Sequence, residues 1–588
     1  MGLVSFFCLC SAATAQQKQI SGTITDENGQ PLASASVSAK GSSTSAITDA
    51  NGTFSLTVPA STTTLIISFI GYETQEVELA GRIAISISLR QTSQELENVI
   101  VNVLGFRERS DKLGSSSSRI NTNDVVSSGE TGLLQGMAGK ASGVLITRST
   151  GDPGSGANIR IRGANTITGS SEPLIIVDGV PISNTEIHGN GSSSVGTGVV
   201  QQSRLNDINP NDIESIQILK GASAAALWGS RAANGVLVIT TKKGKAGSLK
   251  ISYTSSYSVD EINRSHPLQK SFGQGSNGRY SPTASTSWGD KIADRAGGDD
   301  VTTGSAYFLG YITGTTYKTL ASGTASNPHG GKNSQEVFVD KNFDGIFGKG
   351  HYWQNAVSLS GGSDKSRFFA SLENLTQKGI IRSSSDYIRN SVRLNSDHNF
   401  GKYIKFSNKA AYINVSSDRI QNNSNTAGLY LGLLRTAPDF DNTDYIGSYF
   451  DANGVEYRNR QRSYRRYRGD NVQPTYNNPY WTIYRQDATS KVDRFLLSSE
   501  ISSNPFPWLE LILRGGIDAY NDKRIYFFPV GTAGERSVGS YRNEKISEVE
   551  KNLSLIGKVT KDISKDLLGT FILGGNINDK QRYIKTKT

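Results

Sequence analysis

The segment from Asn206 to Lys245, NDINPNDIESIQILKGASAAALWGSRAANGVLVITTKKGK, constrains the fold of this chain more than any other. It holds two runs rich in β-branched residues, which predict strands, on either side of a small-residue stretch that predicts a helix-like segment. A basic stretch that contains a glycine then ends the segment. Together with the apolar run EPLIIVDGVPI, Glu172 to Ile182, it indicates an α+β domain in the first half of the chain.

Length, hydropathy and charge exclude several classes of protein. At 588 residues the chain is longer than one ordinary core, which predicts several domains. Beyond the first few positions it has no run of about 18 apolar residues, which excludes a bundle of membrane-spanning helices. The hydropathy does not exclude a transmembrane β-barrel, because the strands of a barrel need only alternate apolar and polar residues. The formal charge of +10 is not gathered in one basic tract, so no nucleic-acid partner is expected.

The first residues, MGLVSFFCLCSAATAQQ, predict a secretory signal peptide over residues 1–15. Leu3 to Cys10 supplies its apolar core, and Ala13-Thr14-Ala15 supplies a small-residue cleavage site. A buried N-terminal strand or helix is the alternative. Both cysteines lie in this segment, so the mature chain is expected to form no disulfide and to carry no thiol catalysis.

Residues 19–90 show short β-rich runs separated by the turn signals DENG and DANG. This spacing predicts a small antiparallel β-sandwich. The order of its runs and turns resembles the carboxypeptidase-regulatory-like domain. That resemblance implies a binding or spacer module, and the segment offers no catalytic group.

Residues 91–118 predict a linker with one hydrophobic island, LENVIVNVLGF, at 96–106. Val99, Val101 and Val103 fall on one side of an extended strand, which suits pairing with the sheet edge of another protein. The island is similar to the TonB box of TonB-dependent transporters, with Leu96 and Ile100 as its further members. A first strand of the next domain, or a loose linker, is the alternative.

From residue 248 onward, strand-length runs alternate apolar and polar side chains. In RFFASLENL, Phe368 and Leu372 alternate with Ser371 and Glu373, and YIRNSVRLN and LELILRGGIDAYN repeat the pattern. One apolar and one polar face per strand predicts a barrel with lipid outside and water or a plug inside. A soluble β-sandwich is the alternative. The long polar segments 263–350 and 417–490 are predicted to be extracellular loops.

These features together resemble the SusC/RagA-type TonB-linked outer-membrane proteins. The motifs PLIIVDGVPI, INPNDIESIQILKG, FGQGSNGRYSP and NNPYW carry the resemblance. It implies a mainly β fold: a regulatory-like sandwich, an α+β plug domain at 119–245 and the first part of a transmembrane antiparallel β-barrel at 248–588. About nine strand-like segments follow residue 248, against about 22 in transporters of this kind, so the chain is expected to be a fragment.

The resemblance implies TonB-dependent import of an oligosaccharide or a peptide across the outer membrane. TonB with its inner-membrane energising complex, a SusD/RagB-like lipoprotein and outer-membrane lipids are the implied partners. No enzymatic activity is expected, because the five histidines are scattered and no nucleophile motif is present. A surface β-rich binding protein or adhesin is the alternative function.

Four charged residues of the predicted plug are candidates for ion pairs that hold it to the barrel as a releasable latch. They are Arg160, Arg162, Glu214 and Arg231. Charges that are solvated or locally paired are the alternative.

Two predicted loops carry further candidate residues. The segment 457–468 is rich in arginine and tyrosine and predicts stacking on sugars, or contact with a partner or with lipopolysaccharide phosphates, through Tyr457, Arg465, Arg466 and Tyr467.

The segment DKNFDG at 340–345 matches the start of a calcium loop, with oxygen ligands at Asp340, Asn342 and Asp344. The closing acidic ligand is replaced by His351, and an Asx turn is the alternative. No other cofactor is expected.

Overall fold

The computed structural model describes residues 17–27, 29–40, 44–69, 72–89, 99–101, 107–109, 117–127, 130, 132–164, 166–167, 170–184, 198–220, 228–422, 424–464, 474–564 and 567–588. The chain forms two compact units. The first comprises Met1–Asn102 with Phe106–Gly114, and the second comprises Val103–Gly105 with Ser115–Thr588.

The first unit is a β-sandwich followed by a short hairpin. Its strands are β1 (Gln17–Thr25), β2 (Ser36–Ala39), β3 (Ser45–Ile47), β4 (Thr53–Pro59), β5 (Thr64–Ser68), β6 (Gln75–Glu78), β7 (Ala84–Ser88), β8 (Val99–Val101) and β9 (Arg107–Arg109). One sheet has the order β4-β1-β7 and the other β3-β2-β5-β6. Alternate residues of β4 are buried, as in a half-exposed strand. The predicted sandwich is therefore present, but its pairing is not wholly antiparallel, since β1 and β7 run parallel.

The second unit begins with the α+β domain, which we call the plug. Its elements are β10 (Ser117–Ile120), α1 (Thr122–Ser127), α2 (Leu133–Met137), β11 (Val144–Arg148), β12 (Ala157–Ile161), β13 (Leu174–Val177), β14 (Val180–Ile182), β15 (Ile213–Leu219) and β16 (Val236–Thr241). The central sheet has the order β10-β15-β16-β13-β14, and β11 pairs with β12. β15 and β16 are the two strands predicted from the opening segment.

Asp178 and Gly179 join β13 to β14 in a two-residue turn with φ of 53° and 82°. Positive φ at both positions is the signature of a type I′ turn, which Asp-Gly favours. The turn places the Asp178 carboxylate at the end of a fully buried hairpin.

The remaining strands and helices extend from residue 247 to residue 587. They are β17 (Gly247–Asp260), β18 (Gly275–Ser276), β19 (Arg279–Tyr280), β20 (Thr302–Gly310), β21 (Thr316–Leu320), α3 (Val339–Asp344), β22 (Gly350–Gly362), β23 (Ser366–Lys378), β24 (Asp386–Phe400), β25 (Ile404–Asp418), α4 (Leu429–Arg435), β26 (Gly447–Phe450), β27 (Glu456–Arg460), α5 (Pro479–Arg485), β28 (Asp487–Phe506), β29 (Leu509–Phe528), β30 (Ser540–Ser564) and β31 (Leu567–Lys587).

Nine of these strands form one large sheet in the order β17-β22-β23-β24-β25-β28-β29-β30-β31. Every neighbouring pair is antiparallel. The connections alternate between the two ends of the sheet, and the long ones, 261–349 and 419–486, lie at the same end. The predicted mainly β fold class is therefore confirmed, with a nine-stranded sheet that resembles part of a barrel.

The two long connections are folded rather than open loops. A four-stranded sheet of order β21-β20-β26-β27 joins them, so each supplies two of its strands. α4 and α5 pack beside this sheet end, and Trp481 of α5 is fully buried. These segments therefore form a structured layer over one end of the large sheet.

The large sheet separates apolar from polar side chains between its faces, as the alternation predicts. On β24, Ile388, Val392 and Leu394 are exposed, whereas Arg389 and Arg393 are buried. β23 and β29 follow the same pattern. Burying charged groups while exposing apolar ones reverses the usual arrangement of a protein in water. The polar face carries the contacts with the plug.

None of the helices in the described part of the chain has the length and apolar run that a bilayer-spanning helix needs.

Candidate functional site at the inner face of the large sheet

The plug and the large sheet share one apolar core. On the plug side it includes Ile159, Leu205 and Ile208, and on the sheet side Ile413 and Val492, all of which are buried. Apolar side chains removed from water in this way contribute about 25 cal/mol per Å² of buried area. The plug is therefore packed against the sheet rather than loosely enclosed by it.

Arg494 of β28 is the centre of a first charged cluster at this interface. Its guanidinium binds Asp518 of β29 at 2.8 and 2.9 Å and Asp207 of the plug at 3.1 Å. It also donates to the carbonyl oxygens of Arg204, at 2.6 Å, and of Ser183, at 3.2 Å. One fully buried side chain thus links two strands of the large sheet, which we call the wall, to two segments of the plug.

Asp178, at the plug turn, anchors a second cluster. Its carboxylate accepts hydrogen bonds from the Thr241 backbone N–H at 3.0 Å and the Thr241 hydroxyl at 2.7 Å, and it pairs with Lys409 of β25. Arg393 of β24 lies 3.9 Å from Asp178 and 3.1 Å from Asp212 of the plug. Two wall cations therefore face two plug carboxylates.

Arg389 forms a third cluster, with its charge compensated inside the wall. It binds Glu373 of β23 at 2.7 and 3.0 Å and donates to the carbonyl oxygen of Asn206 at 2.6 Å. The Tyr387 hydroxyl donates to the same carbonyl at 3.3 Å. The plug segment 204–207 is therefore held by backbone carbonyls as well as by side chains.

Burial affects the three plug carboxylates differently. Burial raises the pKa of Asp207 above its ordinary value despite Arg204 and Arg494 beside it, and it raises the pKa of Asp212 despite Arg393. At Asp178, burial also opposes the charge, but Lys409 and Arg393 outweigh it, so the pKa of Asp178 is lowered. Of these three carboxylates, Asp178 is the one whose charged form its surroundings favour.

Of the four predicted latch residues, Arg231 pairs with the wall: its Nη2 lies 2.7 Å from Glu550 of β30. Arg160 and Arg162 are exposed, and neither pairs with a carboxylate among the residues the structure describes. Glu214 is also exposed, and its backbone carbonyl accepts a hydrogen bond from Thr122. Within the described part of the chain, these three positions form no ion pair with the large sheet, and the latch role of Arg231 stays a prediction.

Replacing Arg231 with Ala is expected to lower the free energy of unfolding by about 1 kcal/mol or less. Arg231 is 39% exposed, so solvent screens its pair with Glu550. Asn578 continues to donate to Glu550 at 2.9 Å. Urea titration at low and high salt measures the change, which should shrink as salt rises. Arg160→Ala is the control, and an equal loss in that variant would contradict the assignment.

The predicted TonB-coupling segment is described in part. Val99, Ile100 and Val101 form β8, which pairs antiparallel with β9. Leu96 and Val103 lie outside the described residues.

The predicted ligand loop is also described in part. Tyr457 is half-buried and packs 6.2 Å from the Tyr449 ring, and its hydroxyl lies 3.4 Å from Asp451. It is therefore part of a folded ribbon rather than an open stacking surface. Arg465, Arg466 and Tyr467 lie outside the described residues.

The predicted calcium loop is wrong in its geometry, because residues 339–344 form the helix α3. Asp340 is exposed and pairs with Lys270 at 2.7 Å, whereas Asn342 is buried and bonded to Phe440 and Asn442. Asp344 accepts from Arg382 through its backbone carbonyl. Within the described ranges no group of three or more His, Cys, Asp and Glu could hold a metal ion.

We therefore expect calcium titration of the purified chain to give no binding heat that depends on this segment. Isothermal titration of the wild type and of Asp340→Ala should give the same curve, since Asp340 already has Lys270 as its partner. A calcium signal that disappears in Asp340→Ala would contradict this.

Sequence reasoning missed Asp178, Asp207, Asp212, Lys409 and Arg494 as site residues. Asp178 and Asp212 stand inside the motifs that carry the resemblance, and Asp207 directly precedes one of them. An acidic residue in such a position is a signal for a buried partner.

Three comparisons with known proteins agree with this architecture. Residues 20–101 match the family model of the CarboxypepD_reg-like domain, and residues 109–236 match that of the TonB-dependent Receptor Plug Domain. The chain is 37% identical to the TonB-dependent receptor SusC of Bacteroides thetaiotaomicron over 49% of its own length and 27% of that protein. It is 30% identical to a TonB-dependent receptor of Formosa agariphila over 74% of its own length and 36% of that protein.

Among solved structures, the RagAB peptide importer in its open-open state aligns with a TM-score of 0.59 and 20% identity. The alignment covers 82% of this chain and 49% of the solved one, and it shows a shared fold. The matched parts of the chain span between a quarter and a little over a third of the two receptors' lengths. The resemblance predicted from the sequence is confirmed, and these relatives are receptors rather than enzymes.

Proposed function

We propose that this chain, which carries the plug domain of TonB-dependent receptors, supplies the plug, the coupling segment and nine wall strands of an outer-membrane nutrient importer. The observation that supports this best is the placement of the plug on the polar face of an antiparallel sheet whose other face is apolar and exposed. Lipid outside and a polar lumen inside require that arrangement of a barrel wall. The imported nutrient is an oligosaccharide or a peptide, taken up together with a SusD-like surface lipoprotein.

The charged clusters suit a plug that must be held and then moved. TonB, energised from the inner membrane, pairs with the segment 96–106 and pulls. Because β8 already pairs with β9, TonB extends or replaces this two-stranded ribbon by strand addition. Force on the plug then separates the carboxylates of Asp178 and Asp212 from Lys409 and Arg393, and water entering the lumen solvates the separated charges. No covalent chemistry is involved.

Binding of the periplasmic domain of TonB tests this proposal. The purified chain should bind that domain, and Val101→Asp should weaken binding about tenfold or more, since a charge cannot replace an apolar side chain at a strand-addition site. Ile47→Asp is the matched control, because Ile47 is an exposed apolar residue on β3 of the same unit. Equal binding by both variants and the wild type would contradict the proposal.

Membrane fractionation separates the importer from the adhesin alternative. An importer component is expected in the outer-membrane fraction and in a detergent-stable complex with a surface lipoprotein. Recovery at the cell surface without TonB binding would favour the adhesin.

A further inference from the structure

A cavity of about 1060 Å³ lies within the layer formed by the two long connections, apart from the plug interface. Residues from both connections line it, among them Tyr307, Tyr317, Lys332, Phe440 and Arg462. The four-stranded sheet β21-β20-β26-β27 joins its two sides, so its walls are held in place by backbone pairing. Its volume is at the upper end of the range of small-ligand sites.

Five of the nine charged residues that line the cavity are in ion pairs, and three others are exposed: Asp299, Lys318 and Glu336. Lys332 binds Asp300 at 2.6 Å, and Lys341 binds Asp441 at 2.8 Å. Asp439, which lines the cavity, pairs at 2.8 Å with Arg295, which is not part of the lining. These groups are therefore compensated without a ligand.

Arg462 differs from these residues in how its charge is compensated. It is 7% exposed, and among the residues that the structure describes no carboxylate lies within ion-pair distance of it. Its Nε donates to the Tyr307 hydroxyl at 3.3 Å, and its Nη1 donates to the Asp441 carbonyl oxygen at 2.6 Å. In the same described region its Nη2 has no hydrogen-bond partner.

Two aromatic rings hold the guanidinium in a fixed plane. Its central carbon lies 3.8 Å from the centroid of Tyr317 and 4.2 Å from that of Phe440. Cation–π contacts of this kind stabilise the charge and fix its orientation, but they supply no anion. Burial opposes the charge of Arg462, but Tyr307, Tyr317 and Asp441 outweigh it, so the pKa of Arg462 is raised and its guanidinium stays charged at the cavity wall.

We propose that Arg462 anchors the carboxylate of a small ligand that occupies this cavity. The planar guanidinium, whose Nη2 has no partner among the described residues, fits a carboxylate oxygen better than an ammonium would, and its two existing bonds fix its position before the ligand arrives. The ligand has the size of a short oligomer, and its carboxylate is a peptide C-terminus or a uronate. That the bound ligand is then imported rests on the proposed function. The binding of the ligand to the cavity does not require TonB.

Isothermal titration of the purified chain with four probes tests the proposal. The probes are tetra-alanine, tetra-alanine amide, trigalacturonate and α-1,4-linked galactotriose, so each acid has a counterpart without the carboxylate. One acid is expected to bind at least about tenfold more tightly than its counterpart, because a charge-assisted hydrogen bond changes affinity by about tenfold to a hundredfold. The acid that binds distinguishes a peptide from an acidic glycan.

Three variants make the test specific. Arg462→Gln should remove the preference for the acid, and Arg458→Gln, an exposed arginine in the same connection that does not line the cavity, should leave it unchanged. Thr316→Trp, which fills the cavity from an exposed lining position, should abolish binding with Arg462 intact, so a folding defect in Arg462→Gln does not decide the outcome. Equal binding of acid and counterpart, no binding of either acid, or full binding by Thr316→Trp would overturn the proposal. TonB binding that persists in that case would leave the proposed function standing.

Discussion

Replacing Arg494 with Met is expected to destabilise the chain by about 3–5 kcal/mol, the largest single effect at the plug interface. The change leaves Asp207 and Asp518 buried without their shared cation. It also leaves the carbonyl oxygens of Arg204 and Ser183 without the donor that binds them. Urea titration of the purified chain measures the loss as a lower unfolding midpoint.

A matched surface change and a compensated variant complete the experiment. Arg458→Met should alter the unfolding free energy by no more than about 0.5 kcal/mol, since Arg458 is largely exposed. The triple variant Arg494→Met, Asp207→Leu, Asp518→Leu should be more stable than the single one, because an apolar cluster replaces stranded charges. A loss below about 1 kcal/mol in Arg494→Met would contradict the role given to this residue.

Replacing Gly516 with Leu is expected to force the plug away from the wall. A Cβ at Gly516 would lie 2.3 Å from a methyl carbon of Val180 on β14, closer than any packing allows. Overpacking of this kind costs about 1–3 kcal/mol. Amides of β13 and β14 should then exchange with solvent about 5–150 times faster, as measured by hydrogen–deuterium exchange.

The neighbouring glycine provides the control. No atom lies within 4 Å of a Cβ placed on Gly515, which points away from the plug. Gly515→Leu should therefore leave the exchange of β13 and β14 unchanged. Equal effects of the two substitutions would show that the plug is not seated on this face.

The sequence indicated which face of each wall strand is polar, but it did not indicate which ion pairs join the wall to the plug. Alternation in YIRNSVRLN and LELILRGGIDAYN predicted a polar face, because a strand places every second side chain on one side, and Arg389, Arg393 and Asp518 are buried on that face. Their partners depend on how distant segments meet: Arg494 and Asp207 are 287 positions apart, and Lys409 and Asp178 are 231 apart. No pattern in the local sequence predicts which of these distant segments come into contact.

The same limit explains the incorrect calcium prediction. DKNFDG has the residue types of a calcium loop, but Asn342 is fixed by Phe440 and Asn442, about a hundred positions away. Those contacts accompany a helix, in which the Asp340 side chain pairs with Lys270 and the Asp344 backbone carbonyl accepts from Arg382. Arg462 was likewise seen only as one arginine of a basic run. The two aromatic rings that make it distinctive come from Tyr317 and Phe440.

Disulfide crosslinking of Val180→Cys with Gly516→Cys in isolated outer membranes tests the seating of the plug on the wall most directly. Cys8 and Cys10, the two native cysteines, lie in the predicted signal peptide, so the mature chain is expected to give a background without other cysteines. The Cβ of Val180 lies 2.9 Å from a Cβ placed on Gly516, so a small shift reaches disulfide distance. We predict that this pair crosslinks on mild oxidation and that Val180→Cys with Gly515→Cys does not. Crosslinking of both pairs, or of neither, would contradict a plug held against this face.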